Sequence, residues 1–199
     1  VTVVIGLTGS IATGKSTVSN MIRELNIPIV DADKIARAVV NPGENAYKQI
    51  VEAFGEEILQ TDGAIDRKKL GTIVFSNKEM REKLNNIVHP EVRRMMLQQR
   101  DECIQNNSKA VVLDIPLLFE SKLTHFVEKT LVVYVDEDVQ LKRLMKRDRS
   151  VREEALQRMK AQIPVSKKAE MADAVINNNG TLEETREQLH TLLHKWDIL

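Results

Sequence analysis

The chain has 199 residues, 42% of them hydrophobic, with 29 basic and 29 acidic side chains, enough for one sizeable core with a small appended segment. Zero net charge argues against nonspecific nucleic-acid or membrane-surface binding as the main task, and no apolar run reaches the roughly 20 residues of a membrane span. The single cysteine, Cys103, has no partner for an internal disulfide, so a reducing cytoplasm is expected and the thiol is read as structural or incidental.

In chain order, residues 3–8 open with the continuous apolar run Val3-Val4-Ile5-Gly6-Leu7, the pattern of a strand buried on both faces of a parallel sheet. No basic segment precedes it, so a strand rather than a leader peptide is expected there. A helix is predicted from near Lys15 to near Asn26, turning Val18, Met21, Ile22 and Leu25 toward the core. "IPIVDAD", residues 27–33, reads as a second short strand ending in acids. From 34 to 107 the pattern is mainly helical, broken by turns at "NPG" (41–43) and "TDGAID" (61–66). His89, before Pro90, is expected at a turn or helix start. "KAVVLD" (109–114) and "TLVVYVD" (130–136) are the third and fourth strands, and "DAVINN" (173–178) is a weaker fifth. A last helix carries Leu182, Thr185, Leu189, Leu192, Leu193 and Trp196 at helical spacing, read as core packing against the sheet.

Short apolar strands alternating with helices imply an α/β fold built on a parallel sheet. The strand ends at residues 8, 31, 114 and 136 then share the carboxyl edge, where open α/β sheets bind their ligands. The helical stretch after the second strand and the segment after the fourth are the expected places for a substrate-binding region and a mobile lid.

The chemistry starts at "LTGSIATGKST", residues 7–17. Gly9, Gly14, Lys15 and Ser16 fit G-x-x-x-x-G-K-[ST], placed after a buried strand and at the opening of a helix as the motif requires. Successive backbone N–H groups and the helix N-terminus of Gly9, Ser10, Ile11, Ala12, Thr13, Gly14, Lys15, Ser16 and Thr17 can surround a polyphosphate. Lys15 adds a full positive charge near the β- and γ-phosphates, and the Ser16 hydroxyl can ligate Mg²⁺. Ala12 stands where a further glycine is common. As an exposed loop residue, Lys15 is expected to matter for transfer and hardly at all for the fold.

Three classes share such a cradle. A GTPase needs D-x-x-G and N-K-x-D; no glycine here follows an aspartate by three, and Asn77-Lys78-Glu79-Met80 lacks the final acid. A transporter-type ATPase needs a glycine-rich signature segment, and the chain has only eight glycines. A kinase of a small hydroxyl compound remains, beside a nucleotide-sensing module that has no acceptor to activate. Asp33, in "IVDAD", can orient an acceptor hydroxyl and take its proton; "DADKIAR" also looks like a helix start, where an aspartate caps. Arg143 and Arg147, one helical turn apart in "LKRLMKRDR", can converge on one phosphate chain. Asp114, ending "AVVLD", can hold Mg²⁺ or its water shell. His190 and His194 lie four apart but lack the H-E-x-x-H pattern, so no metal site is expected there.

"LTGSIATGKSTV", "VDADKIAR", "IDRKKLGTIVFSN", "HPEVRR", "DIPLLFE", "LKRLMKRD" and "VINNNG" follow one another over residues 3 to 190. Together they resemble the dephospho-CoA kinase family. The resemblance implies a P-loop kinase three-layer fold with a parallel five-stranded sheet. Its core would span 1–33, 108–146 and 173–199, a helical CoA-binding insertion 34–107, and a lid 147–172. It implies transfer of the ATP γ-phosphoryl to the ribose 3′-hydroxyl of dephospho-CoA, with Mg²⁺, in the cytoplasm, without nucleic acid, membrane or an obligate protein partner. Asp33 resembles the acid facing the 3′-hydroxyl, and Arg143 and Arg147 match the basic lid-side segment. Asn178 and Gly180 match the segment near adenine. Thr8, Arg67, His89 and Leu117, Leu118, Phe119 and Glu120 match the acceptor side, although the three apolar residues also read as core. A kinase of the same fold acting on a nucleoside monophosphate is the nearest rival.

Overall fold

In the computed structural model, which describes residues 1–199, the chain begins with β1 (Val3–Thr8), a buried run whose β-branched residues suit a pleated interior. A loop leads to α1 (Lys15–Glu24), which buries Val18, Met21 and Ile22 while Leu25 packs at the core's edge. β2 is short, Ile29–Asp31, because Asp31 caps the next helix: its carboxylate accepts from Lys34 N at 3.1 Å. That helix, α2 (Ala32–Ala38), takes Asp33 out of the strand in which the sequence pattern had placed it. Next come α3 (Asn45–Phe54), α4 (Arg67–Phe75) and α5 (Lys78–Gln105). After them come β3 (Ala110–Asp114), β4 (Lys129–Tyr134), α6 (Glu137–Asp148), α7 (Arg152–Lys160), α8 (Val165–Met171), β5 (Ala174–Asn177) and α9 (Leu182–Lys195).

The five strands form one sheet in the order β2-β3-β1-β4-β5. β1 pairs in parallel with β3 and β4, with Leu7 opposite Asp114 and Thr8 opposite Val132; β4 pairs in parallel with β5. The parallel sense collects the carboxyl ends of these strands on one edge. Ile5, Leu7, Val112, Leu131 and Val133 join Val18 and Ile22 of α1 and Leu189 and Leu193 of α9 in one core; each such side chain, fully buried, contributes about 1.5–3 kcal/mol. β5 is an edge strand in which only Ile176 is buried, which explains its weak pattern. Leu182 departs from the expected α9 stripe: it is exposed, since the helix turns it to solvent in its first turn.

The chain divides into two compact units, Val1–Val30 with Arg100–Leu199, and Asp31–Gln99. The second unit has its own core of Ile50, Ile58, Ile65 and Leu70, with Tyr47, Phe54, Leu84 and Ile87 against it. Asp66 caps α4 by accepting from Lys68 N and Lys69 N, both at 3.1 Å. His89 and Pro90 lie inside α5, not at a helix start. A proline there costs a hydrogen bond to the preceding turn, tolerable because both residues and Asn86 are exposed to water. No helix is long and apolar enough to cross a membrane.

Candidate active site

The loop between β1 and α1 is held by its carbonyls. Gly9 O accepts from Lys168 Nζ at 2.7 Å, and Ser10 O from Thr13 N at 3.2 Å and Thr13 Oγ1 at 2.9 Å. Ile11 O accepts from Gln140 Nε2 at 2.8 Å, and Thr13 O from Asn178 Nδ2 at 2.9 Å. In a planar trans peptide the C=O and the following N–H point in opposite directions. Donors that fix Ile11 O and Thr13 O therefore turn the Ala12 and Gly14 N–H groups the other way. Neither of these, nor the N–H of Lys15 or Ser16 at the start of α1, bonds to another backbone group. Such a run of unpaired amides at a helix N-terminus is an anion site.

Two residues carry the loop's tight geometry. Gly14 has φ 89°, and a Cβ there would collide with Asn178 Nδ2. Ala12 adopts φ 60° with a side chain, the left-handed region that glycine enters freely.

Lys15 Nζ is ion-paired with Asp114, the last residue of β3. The other carboxylate oxygen of Asp114 accepts from Ser19 Oγ at 3.3 Å, and Asp114 is 6% exposed. The sequence reading of Lys15 as a residue that packs against little is thus corrected: it is joined to a buried acid. The Ser16 hydroxyl is exposed in the first turn of α1. No cluster of three acidic, histidine or cysteine side chains forms a closed metal cage.

Three loop-holding residues, Lys168, Gln140 and Gln162, were missed in the sequence. Lys168 in α8 is fully buried and also pairs with Glu120 Oε2 at 2.8 Å. Gln140 in α6 is 4% exposed. For Gln140 and Lys168 the signal was position: Gln140 lies four before Leu144, and Lys168 three after Val165, so each stands on the apolar face of its helix. The same segment reaches the loop twice more, with Gln162 Oε1 accepting from Ile11 N at 2.9 Å and Ile163 O from Ser10 Oγ at 3.3 Å. A 310 Å³ cavity opens beside Ser10, lined by Tyr134, Gln140, Leu156, Met159 and Ile163. Tyr134 donates to Asp136 Oδ1 at 2.9 Å, and that bond, with partial burial, holds the phenol above its ordinary pKa.

The remaining expected residues are distributed unevenly. Asn178 is buried, its amide oxygen accepting from Thr185 Oγ1 at 2.8 Å, so its side chain is engaged by the loop and α9. Gly180 precedes Thr181, the N-cap of α9, in a capping box with Glu184. Arg143 and Arg147 do not converge. Arg143 Nη1 donates to Asn178 O at 2.9 Å, whereas Arg147 bonds Asp148, which also pairs with Arg158 of α7. The hydrogen bond from Arg147, then the nearby charges of both arginines, keep the Asp148 carboxyl below its ordinary pKa.

On the acceptor side, Thr8 is fully buried with its hydroxyl donated to Pro116 O at 3.0 Å, and Leu118 is fully buried against Gly6 and β1. Both are core residues, which corrects the reading of their side chains as ligand contacts. Leu117 is exposed, Phe119 half-buried, and Glu120 Oε2 accepts from Ile163 N at 3.2 Å as well as from Lys168. In the second unit, Asp33 is exposed in the first turn of α2. Arg67 Nη2 reaches Arg37 O at 3.4 Å, and His89 is exposed on α5. Partial desolvation of the ring, followed by the charge of Arg93 one turn on, lowers the His89 pKa.

The family model for dephospho-CoA kinase matches residues 3–184. The chain is 62% identical over 198 residues to the dephospho-CoA kinase of Geobacillus kaustophilus, covering 100% of this chain and 98% of that protein. It is 60% identical to that of Oceanobacillus iheyensis, covering 99% of each. Among solved structures, dephospho-CoA kinase from Campylobacter jejuni superposes with a TM-score of 0.76 at 34% identity, covering 97% of this chain and 96% of that one. The protein TT1252 from Thermus thermophilus gives 0.80 at 34% identity, covering 98% and 97%.

Proposed function

The chain belongs to the dephospho-CoA kinase family, and from that premise we propose how its own residues carry out the reaction. It is an ATP-dependent phosphotransferase: the γ-phosphoryl of ATP passes to the ribose 3′-hydroxyl of dephospho-CoA, giving coenzyme A and ADP in the final step of coenzyme A synthesis. The fold is that of the P-loop kinases, a parallel five-stranded sheet flanked by helices.

The observation that carries the phosphate site is the loop with its carbonyls bonded away and the Ala12, Gly14, Lys15 and Ser16 amides unpaired. These amides receive the β-phosphate, and Lys15 screens charge on the γ-phosphoryl as it moves. Little covalent chemistry falls to the protein in this reaction; positioning and charge stabilisation carry it. Asp33 orients the acceptor hydroxyl and takes its proton. Arg143, anchored beside Asn178, and Arg147 supply positive charge on the nucleotide side. Arg67, His89, Leu117, Phe119 and Glu120 serve the acceptor.

A hydroxyl and a carboxylate are hard oxygen donors that suit Mg²⁺. Ser16 and Asp114 are the residues to hold it, and when bound it neutralises phosphate charge. The segment 147–172 acts as the lid that keeps water from the γ-phosphate. Its movement belongs to α7, since α8 is fastened to the loop by Lys168. A reducing cytoplasm suits the free thiol of Cys103.

The test is ADP release with Mg-ATP, comparing dephospho-CoA with AMP, CMP and no acceptor, for the unaltered protein and Asp33→Asn. Turnover that requires dephospho-CoA and drops by about 10²–10⁴ in the variant supports the assignment. Turnover on a nucleoside monophosphate alone would overturn the acceptor, and an unaffected Asp33→Asn would remove that residue from the mechanism.

A further inference from the structure

We propose that Lys168 is a positioning residue for phosphoryl transfer: it fixes the peptide that opens the phosphate loop and ties it to Glu120. The proposal deepens the reading of the loop as an ATP site and rests on it.

Lys168 is fully buried. An ammonium group is costly to bury, and it persists where partners compensate the charge. Its Nζ has two, Gly9 O at 2.7 Å and Glu120 Oε2 at 2.8 Å. The bond to Gly9 O decides which way the Gly9–Ser10 peptide faces. With that carbonyl held on the buried Lys168, the Ser10 N–H points the other way and donates to Thr13 Oγ1 at 3.3 Å. Turned over, the carbonyl would replace that N–H opposite Thr13 Oγ1, and the bond that closes the loop on itself would be lost. A Cβ at Gly9 would lie 2.6 Å from Thr13 Oγ1 and 3.1 Å from Val133 O, so the peptide passes too close to its neighbours for any side chain here.

Glu120 makes the bond more than local. Its Oε2 also accepts from Ile163 N at 3.2 Å, while Oε1 is buried without a protein partner. One carboxylate thus joins the segment after β3, the turn before α8 and, through Lys168, the start of the loop. Three other side chains hold this loop as neutral donors or acceptors: Gln140, Gln162 and Asn178. Lys168 alone does so with a full charge, and a charge-assisted bond is roughly twice as strong as a neutral one.

The test uses Lys168→Met and the double variant Lys168→Met with Glu120→Gln, which removes both charges and spares the fold a lone buried carboxylate. ADP affinity is measured by calorimetry with Mg²⁺ well below the melting temperature, beside kcat and both KM values. Acceptor-free ADP affinity is read independently of dephospho-CoA turnover. Failure of the unaltered protein to use dephospho-CoA would therefore sink the functional reading without touching this comparison.

Under the proposal, the double variant melts close to the unaltered protein yet binds ADP about 10- to 100-fold more weakly, the scale of one lost hydrogen bond to a charged group. ADP affinity within about 3-fold of the unaltered protein would overturn it, leaving Lys168 as charge balance for Glu120, since a factor that small is under 1 kcal/mol. Loss of cooperative folding in both variants would overturn it as well, and make the pair a folding element.

Discussion

Asp114 and Lys15 form an ion pair that joins the end of β3 to the first turn of α1, with the acid almost wholly buried and the lysine about one-fifth exposed. The register explains the meeting. Asp114 stands opposite Leu7, so the acid ends its strand level with the start of the phosphate loop. The acid aims the motif's lysine, and Ser19 steadies the acid from one turn further along α1.

Lys15→Met is therefore expected to do two things. Transfer falls by about 10²–10³, the loss typical of removing one electrostatic contact from a transition state. Stability falls too, by roughly 1–3 kcal/mol after discounting for the lysine's partial exposure, or several degrees in melting temperature. Adding Asp114→Asn restores part of the melting temperature and none of the activity. Thermal melts beside the coupled assay separate the two effects; a single variant that melts normally would contradict the pair's structural weight.

Asn178→Ala removes the donor on Thr13 O and the acceptor of Thr185 Oγ1, leaving both groups buried and unpaired. The expected loss is about 1–3 kcal/mol. Asn178→Asp is worse for nucleotide binding, because an oxygen then faces the Thr13 carbonyl. Chemical denaturation and ADP titration of both variants check this order.

Ala12 holds a left-handed conformation at a cost of about 1–2 kcal/mol relative to glycine. Glycine in turn adds roughly 0.4–1 kcal/mol of unfolded-state entropy. Ala12→Gly is thus expected to stabilise slightly, by about 0.5–1 kcal/mol, with ADP affinity retained. A destabilised Ala12→Gly in urea titration would show that the alanine methyl packs to advantage.

His89 has a folded-state pKa below its ordinary value, through partial desolvation and the charge of Arg93. Below about pH 6.5 the unfolded chain then binds the proton more readily than the folded one. The penalty is absent above the unfolded pKa and grows as pH falls. His89→Gln should therefore tolerate pH 5 better than the unaltered protein and match it at pH 8. Equal pH-dependence of the two melting curves would rule this out.

The strands were legible because β1, β3 and β4 are buried on both faces and carry unbroken apolar runs. The loop motif was legible because its glycines, lysine and serine sit in one short stretch. What was not legible is tertiary. Nothing local to Asp114 says that its partner is Lys15, 99 residues away. The local pattern allowed Leu118 either the core or the acceptor side, and only the packed sheet seals it with Thr8 in the core. Arg143 and Arg147 share a helix face by spacing, yet Asp148 draws one and Asn178 O the other. Lys168 and Gln140 carry only a positional signal, on the apolar faces of their helices, and their partners in the loop lie 159 and 129 residues away.

The clamp on Thr13 by Asn178 spans 165 residues of chain, and Asn178 is itself braced by Thr185. The loop stands near residue 13 and its restraint at residue 178, so a cradle whose motif is local is completed by a side chain from the far end of the sequence.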